Sequence, residues 1–122
     1  MNWSAAGAAL LALAVMLGAF GAHGLKGKLD GYSMGVYEKA VFYHFIHALG
    51  LLIVPVLARL DAIKPGQASL VCALLAAGIL IFSGSLYLLA IFGMRWLGAI
   101  TPLGGLSFIA AWIMLAWALA RK

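Results

Sequence analysis

The chain has 122 residues, of which 66% are hydrophobic and 9% charged, with a formal net charge of +5 at pH 7. Soluble domains carry roughly 25% charged residues, so a water-soluble enzyme or binding domain is excluded. The eight Lys and Arg lie at or between the ends of apolar runs. There they meet lipid headgroups rather than form the solvated cationic patch that nucleic acid requires, so a lipid bilayer is the expected surrounding and nucleic acid is not an expected partner.

The first apolar run, Trp3 to Ala22, is uncharged and preceded only by Asn2 and the terminal amine. A cleaved signal has a basic leader and a shorter core, so residues 3–22 read as a retained helix. Ala14, Gly18 and Ala22 recur every fourth position and predict close approach of a second backbone. Polar residues then dominate through LKGKLDGYSMGVYEK, the longest break in hydrophobicity, where Ser33 is a candidate N-cap.

The second span, 40–58, contains Pro55, which removes the bond to the Leu51 carbonyl and favours a kink. A turn at Pro65 and Gly66 makes the second and third helices antiparallel neighbours. The third span, 69–94, is longer than a perpendicular crossing needs, and Tyr87, Trp96 and Arg95 are expected at headgroup depth. The fourth, 100–120, follows TPLGG, with its helix starting near Pro102. The lone Cys72, inside an apolar run, excludes an intramolecular disulfide.

The expected fold is all-α: an integral membrane four-helix bundle, up-and-down, forming one domain over 1–122. Orientation is tied by the positive-inside count. Arg59, Lys64, Arg121 and Lys122 flank one side, and Lys26, Lys28, Lys39 and Arg95 the other.

Ionisable groups enter the apolar sequence chiefly in YEKAVFYHFIHALGLLIVP, Tyr37 to Pro55. At about 100° per residue, Tyr37, Ala40, His44, His47, Ala48, Leu51 and Pro55 share one face, with Phe42, Phe45, Ile46, Leu49 and Ile53 opposite. A desolvated imidazole needs a hydrogen-bond partner that lipid cannot supply, so the first face is expected to look inward. His23 ends the first span, and Glu38 is a candidate carboxylate partner for the imidazoles. HxxH spacing alone is compatible with a transition metal, haem or proton transfer. Interhelical hydrogen bonding is the preferred reading, and no cofactor is expected.

Ser83, Ser85, Thr101 and Ser107 are hydroxyls suited to bonding a backbone carbonyl or another helix. The TPLGG break reads as a helix start, with a cavity-lining role as the alternative. Neither GxGxxG nor GxxxxGK[ST] occurs. The candidate polar interior or transport site therefore comprises His23, Glu38, His44, His47, Ser83, Ser85, Tyr87, Arg95 and Thr101.

Four segments together, GAFGAHGLK (Gly18 to Lys26), YHFIHALGLL (Tyr43 to Leu52), FSGSLYLLA (Phe82 to Ala90) and RWLGAITPLGG (Arg95 to Gly105), resemble the domain-of-unknown-function 423 family. This family of small bacterial inner-membrane proteins is itself similar to eukaryotic transmembrane protein 256. The resemblance covers nearly the whole chain and implies four membrane helices and a bacterial plasma-membrane address. It supplies no catalytic residues. Two functional readings follow: a non-enzymatic membrane component, acting as a homo-oligomer or as an accessory subunit of a membrane protein partner, and a small transporter or channel using the interior histidines.

Overall fold

The structure, a computed structural model, describes residues 2–121. Four helices run the length of the molecule: α1 (Trp3–Leu25), α2 (Gly31–Arg59), α3 (Pro65–Phe92) and α4 (Arg95–Ala120). Each is long and apolar enough to cross a membrane, and no strand occurs among the described residues. Their 23 to 29 residues make rods about 35–44 Å long at ~1.5 Å per residue. That exceeds the roughly 30 Å hydrocarbon core, so their ends reach headgroup depth or the rods tilt.

The helix ends follow local chemistry. α2 begins at Gly31, inside the polar break, because Asp30 caps it: the Asp30 carboxylate accepts the Ser33 amide at 2.7 Å. Ser33 is thus the donor to the cap and not the cap itself. α2 continues unbroken through Pro55. α3 starts with Pro65 in its first turn, where a missing amide hydrogen is harmless. A π-turn, Ile79–Ser83, interrupts it before it resumes as an α-helix from Gly84 to Phe92. α1 likewise ends in a π-turn, Gly21–Leu25. A 3-10 turn, Arg95–Ala99, opens α4, and its α-helical part runs from Thr101 with Pro102 in the first turn.

The Asp30 cap is pH-sensitive. Hydrogen bonds from the Ser33 backbone and hydroxyl hold its carboxyl below the ordinary 3.8 against a smaller opposing effect of desolvation, and the charge of Arg95 adds the least. A carboxyl whose folded value is depressed stabilises the fold above its unfolded pKa, and that contribution disappears as pH falls through the folded value. Acidification below about pH 4 is therefore expected to lower the protection of the Ser33 amide, its exchange rate taken relative to the intrinsic rate at the same pH, and Asp30→Ala to remove that protection at neutral pH. Hydrogen exchange followed by mass spectrometry checks both; pH-independent protection of Ser33 would contradict the cap.

The main core lies between α2, α3 and α4, where Leu51 and Val54 meet Val71, Cys72 and Leu75, and Phe108 and Ala111 close the cluster. α1 lies along α2, and its contact surface is made of small residues seven apart. Gly7, Ala14 and Gly21 are buried along it, with Leu25 buried at the end of the helix, and a Cβ on Gly7 would stand 2.6 Å from the Leu52 backbone nitrogen. The four-residue series fails at its end: Ala22 is exposed, and Gly21 instead faces the Tyr37 ring. A step of seven returns to within about 20° of the same face, whereas each step of four advances by about 40° and walks off the interface.

Outside this packing, the bundle is apolar. Met16, Phe20, Phe42, Ile53, Leu80, Leu106 and Ile113 are all more than half exposed. In water such a belt would drive aggregation; in a bilayer it is the surface that acyl chains solvate.

Candidate functional site

Midway along α2, His44 joins three helices. It is buried because Ala40 and Ala48, one turn to either side, are small and fully enclosed, and because its face of α2 turns away from the exposed Phe42, Phe45 and Ile46. Its Nε2 lies 2.8 Å from the Leu10 carbonyl oxygen on α1, and its Nδ1 lies 2.8 Å from the Tyr87 hydroxyl on α3. A carbonyl can only accept, so Nε2 carries the hydrogen and donates it. In the neutral ring, Nδ1 then accepts from Tyr87.

Two further bonds hold α1 to α2. The Tyr37 hydroxyl donates to the Leu17 carbonyl, and the Ser4 hydroxyl donates to the Leu52 carbonyl at 2.9 Å. Together with His44 and Leu10, these form a ladder of three side-chain-to-backbone bonds along one interface. The rings of Tyr37 and Tyr87 meet edge to face, with centroids 5.5 Å apart. Ser83, at the end of the α3 π-turn, donates to the Ala40 carbonyl at 2.9 Å. Ser107 of α4 donates to Leu74 of α3 at 2.6 Å. Among the described residues, every buried side-chain nitrogen or oxygen has a partner.

His47 serves another interface. Its Nδ1 lies 2.7 Å from the Tyr43 carbonyl of its own helix and so donates to it. Its ring stacks on Phe108 of α4 with centroids 3.5 Å apart. Tyr43, Phe82 and Phe108 extend this aromatic contact. The two imidazoles thus point into one interior but address different neighbours, His44 towards α1 and α3 and His47 towards α4.

The remaining candidate residues divide. Ser85 and Thr101 meet hydroxyl to hydroxyl at 2.6 Å and tie α3 to the start of the α-helical part of α4. His23, Glu38 and Arg95 are exposed at the end of the bundle that carries links 26–30 and 93–94. Glu38 faces a groove between α1 and α2 beside Gly18, Tyr37 and Phe42, so it is no partner of the imidazoles. Tyr87 is not a headgroup marker: half-buried, it spends its hydroxyl on His44. Among the described residues, no three His, Cys, Asp or Glu side chains gather closely enough to hold a metal ion.

The three-bond ladder also uses groups absent from the candidate set. Tyr37 was detectable, because it precedes His44 by seven residues and so shares its face. The Leu10 carbonyl was not, since a backbone acceptor leaves no mark in side-chain pattern.

A family model described as a protein of unknown function (DUF423) matches residues 17–105. The chain belongs to this family. Among its relatives are the UPF0382 membrane protein SH2409 of Staphylococcus haemolyticus, 51% identical over 109 residues, and the UPF0382 membrane protein YwdK of Bacillus subtilis, 50% identical over 110. Both alignments cover 89% of this chain, with 87% and 88% of the respective relatives. The UPF0382 membrane protein SAB0533 of Staphylococcus aureus is 48% identical over 103 residues, covering 84% of this chain and 82% of its own. No solved structure matches. The DUF423 match contains His44, Tyr37, Tyr87 and Ser83, while Ser4, Leu10 and Ser107 lie outside it.

Proposed function

We propose that this DUF423 protein is a non-enzymatic component of the bacterial plasma membrane, acting through its helices as an accessory subunit or by assembly with copies of itself. The observation that carries the reading is the employment of the interior polar groups. Both ring nitrogens of His44, and the hydroxyls of Tyr37, Tyr87, Ser83 and Ser107, are engaged in bonds that join helix to helix. Side chains so engaged hold an arrangement in place; a conducting path needs groups that can exchange partners with a moving solute. The links between helices are only a few residues long, so contact with other molecules falls to the membrane-embedded surface. Helical spans, as distinct from a β-barrel, suit the plasma membrane.

A transporter is the second reading, favoured by the His44–Tyr87 pair, whose imidazole lies midway along α2 and which has the chemistry of a proton relay. Flux assays in reconstituted vesicles decide between them. The component reading expects no movement of protons, divalent metal or small solutes above protein-free vesicles. Flux that is abolished by His44→Phe would replace it with the transporter.

A further inference from the structure

At the end of the bundle where α2, α3 and α4 finish or begin, a cavity of about 470 Å³ opens between link 60–64 and the last turn of α4. Its lining includes Lys64, Pro65, Gln67, Trp117 and Arg121, with Asp61 as the one acid. We propose that this recess binds the phosphate of an anionic phospholipid headgroup.

Three kinds of group converge there. Lys64 and Arg121 supply two cations, outweighing the single Asp61 carboxylate. α3 supplies an open amide: its first backbone bond is donated by Ala68 to Lys64, so the amide of Gln67, which lines the recess, precedes the hydrogen-bonded turns. Trp117 supplies the wall, and the Arg121 guanidinium sits 5.1 Å from its ring centroid, which holds that cation near the recess.

Position selects a lipid as the source of the phosphate. The cavity lies at the termini of three membrane-length helices, at the depth where tryptophan and arginine meet headgroups. The exposed, apolar Leu119 on α4 lies next to the recess in sequence and offers an apolar surface beside it. A neighbouring groove, lined by Trp3, Pro55, Arg59 and Ser69, shares Pro65 with the recess and adds a further cation at the same end. The site stands whether the protein is a structural component or a transporter.

Native mass spectrometry of the detergent-solubilised full chain, titrated with phosphatidylglycerol and with phosphatidylcholine, tests the proposal. Wild type is expected to retain phosphatidylglycerol preferentially. The double variant Lys64→Ala, Arg121→Ala is expected to bind it about thirtyfold more weakly, the loss that two cations at about 1 kcal/mol each represent. Lys28→Ala with Arg95→Ala, at the opposite end, should leave binding unchanged.

Gln67→Glu is a second probe that does not depend on removing a cation. Its carboxylate still accepts the Lys64 amide, as Gln67 does at 2.9 Å, so the α3 start is preserved while a negative charge enters the recess. It should also weaken phosphatidylglycerol binding. Equal losses from the two double variants would mean diffuse attraction by any surface cation and overturn the site. Full displacement by millimolar inorganic phosphate would make it a free-anion site and overturn the lipid. Unchanged binding in Gln67→Glu would overturn the recess itself.

Discussion

Gly104→Leu is expected to force α3 and α4 apart and leave the protein unable to hold its native fold in mild detergent. Gly104 is buried where the two backbones approach closely: a Cβ built there meets the backbone nitrogen of Phe82 and lies 2.8 Å from its Cα. Neither atom can rotate away, because both belong to the α3 π-turn. Even Gly104→Ala must separate the helices, at the 1–3 kcal/mol typical of overpacking, and leucine adds three more carbons to the same gap. Separation would also stretch the 2.6 Å bond from Ser107 to the Leu74 carbonyl. The neighbouring Gly105 is the control, since a Cβ there stands 3.7 Å from the Phe82 ring, an ordinary contact. Thermal unfolding followed by tryptophan fluorescence should show Gly105→Ala near wild type and Gly104→Ala several degrees lower. Equal midpoints would mean that the approach at Phe82 is not a fixed part of the fold.

The second large effect is expected from His44→Ala. The change empties a buried site and removes two interhelical bonds, to Leu10 and Tyr87. Interhelical bonds in membranes contribute about 0.6 kcal/mol each, and truncating a large buried side chain to alanine costs roughly 2–5 kcal/mol, so a loss of about 3 kcal/mol is reasonable. Tyr87→Phe removes only the Tyr87 donor and keeps the ring against Tyr37, so its loss should stay near the single-bond figure. The ordering matters more than either value, and reversible unfolding in mixed micelles measures it. If Tyr87→Phe were as damaging as His44→Ala, the hydroxyl and not the imidazole would be the centre of the junction.

Much of this architecture was legible from the residues. The inward face of α2 follows from helical periodicity, since lipid tolerates Phe42 and Ile53 but offers His44 no partner. Less legible was anything that depends on where two backbones touch. Ala14, Gly18 and Ala22 form a plausible small-residue series, yet the interface follows Gly7, Ala14 and Gly21, because two long helices in contact favour the seven-residue step. Tyr87 misleads for a related reason: an amphipathic ring near an arginine suits the headgroup layer, and only the position of α2 beside it shows that a buried imidazole takes its hydroxyl. Glu38 misleads in the opposite direction, because closeness in sequence to His44 does not place its carboxylate on the buried side.

The π-turn of α3 carries one residue more than an α-helical turn would. Val71 and Leu75 point inward before it, and Leu86 and Ala90 do so after it. Its wider bonding, the Gly84 amide to the Ile79 carbonyl, spreads the extra residue over a single turn, so removing one residue between Ile79 and Ser83 would let the segment close as α-helix with the side chains beyond it in nearly the same phase. Tyr87 would still meet His44, and Leu88 would still face outward. The contribution of the bend is therefore local, setting Ser83 against the Ala40 carbonyl, and exposed Leu80 is the residue it can most readily lose.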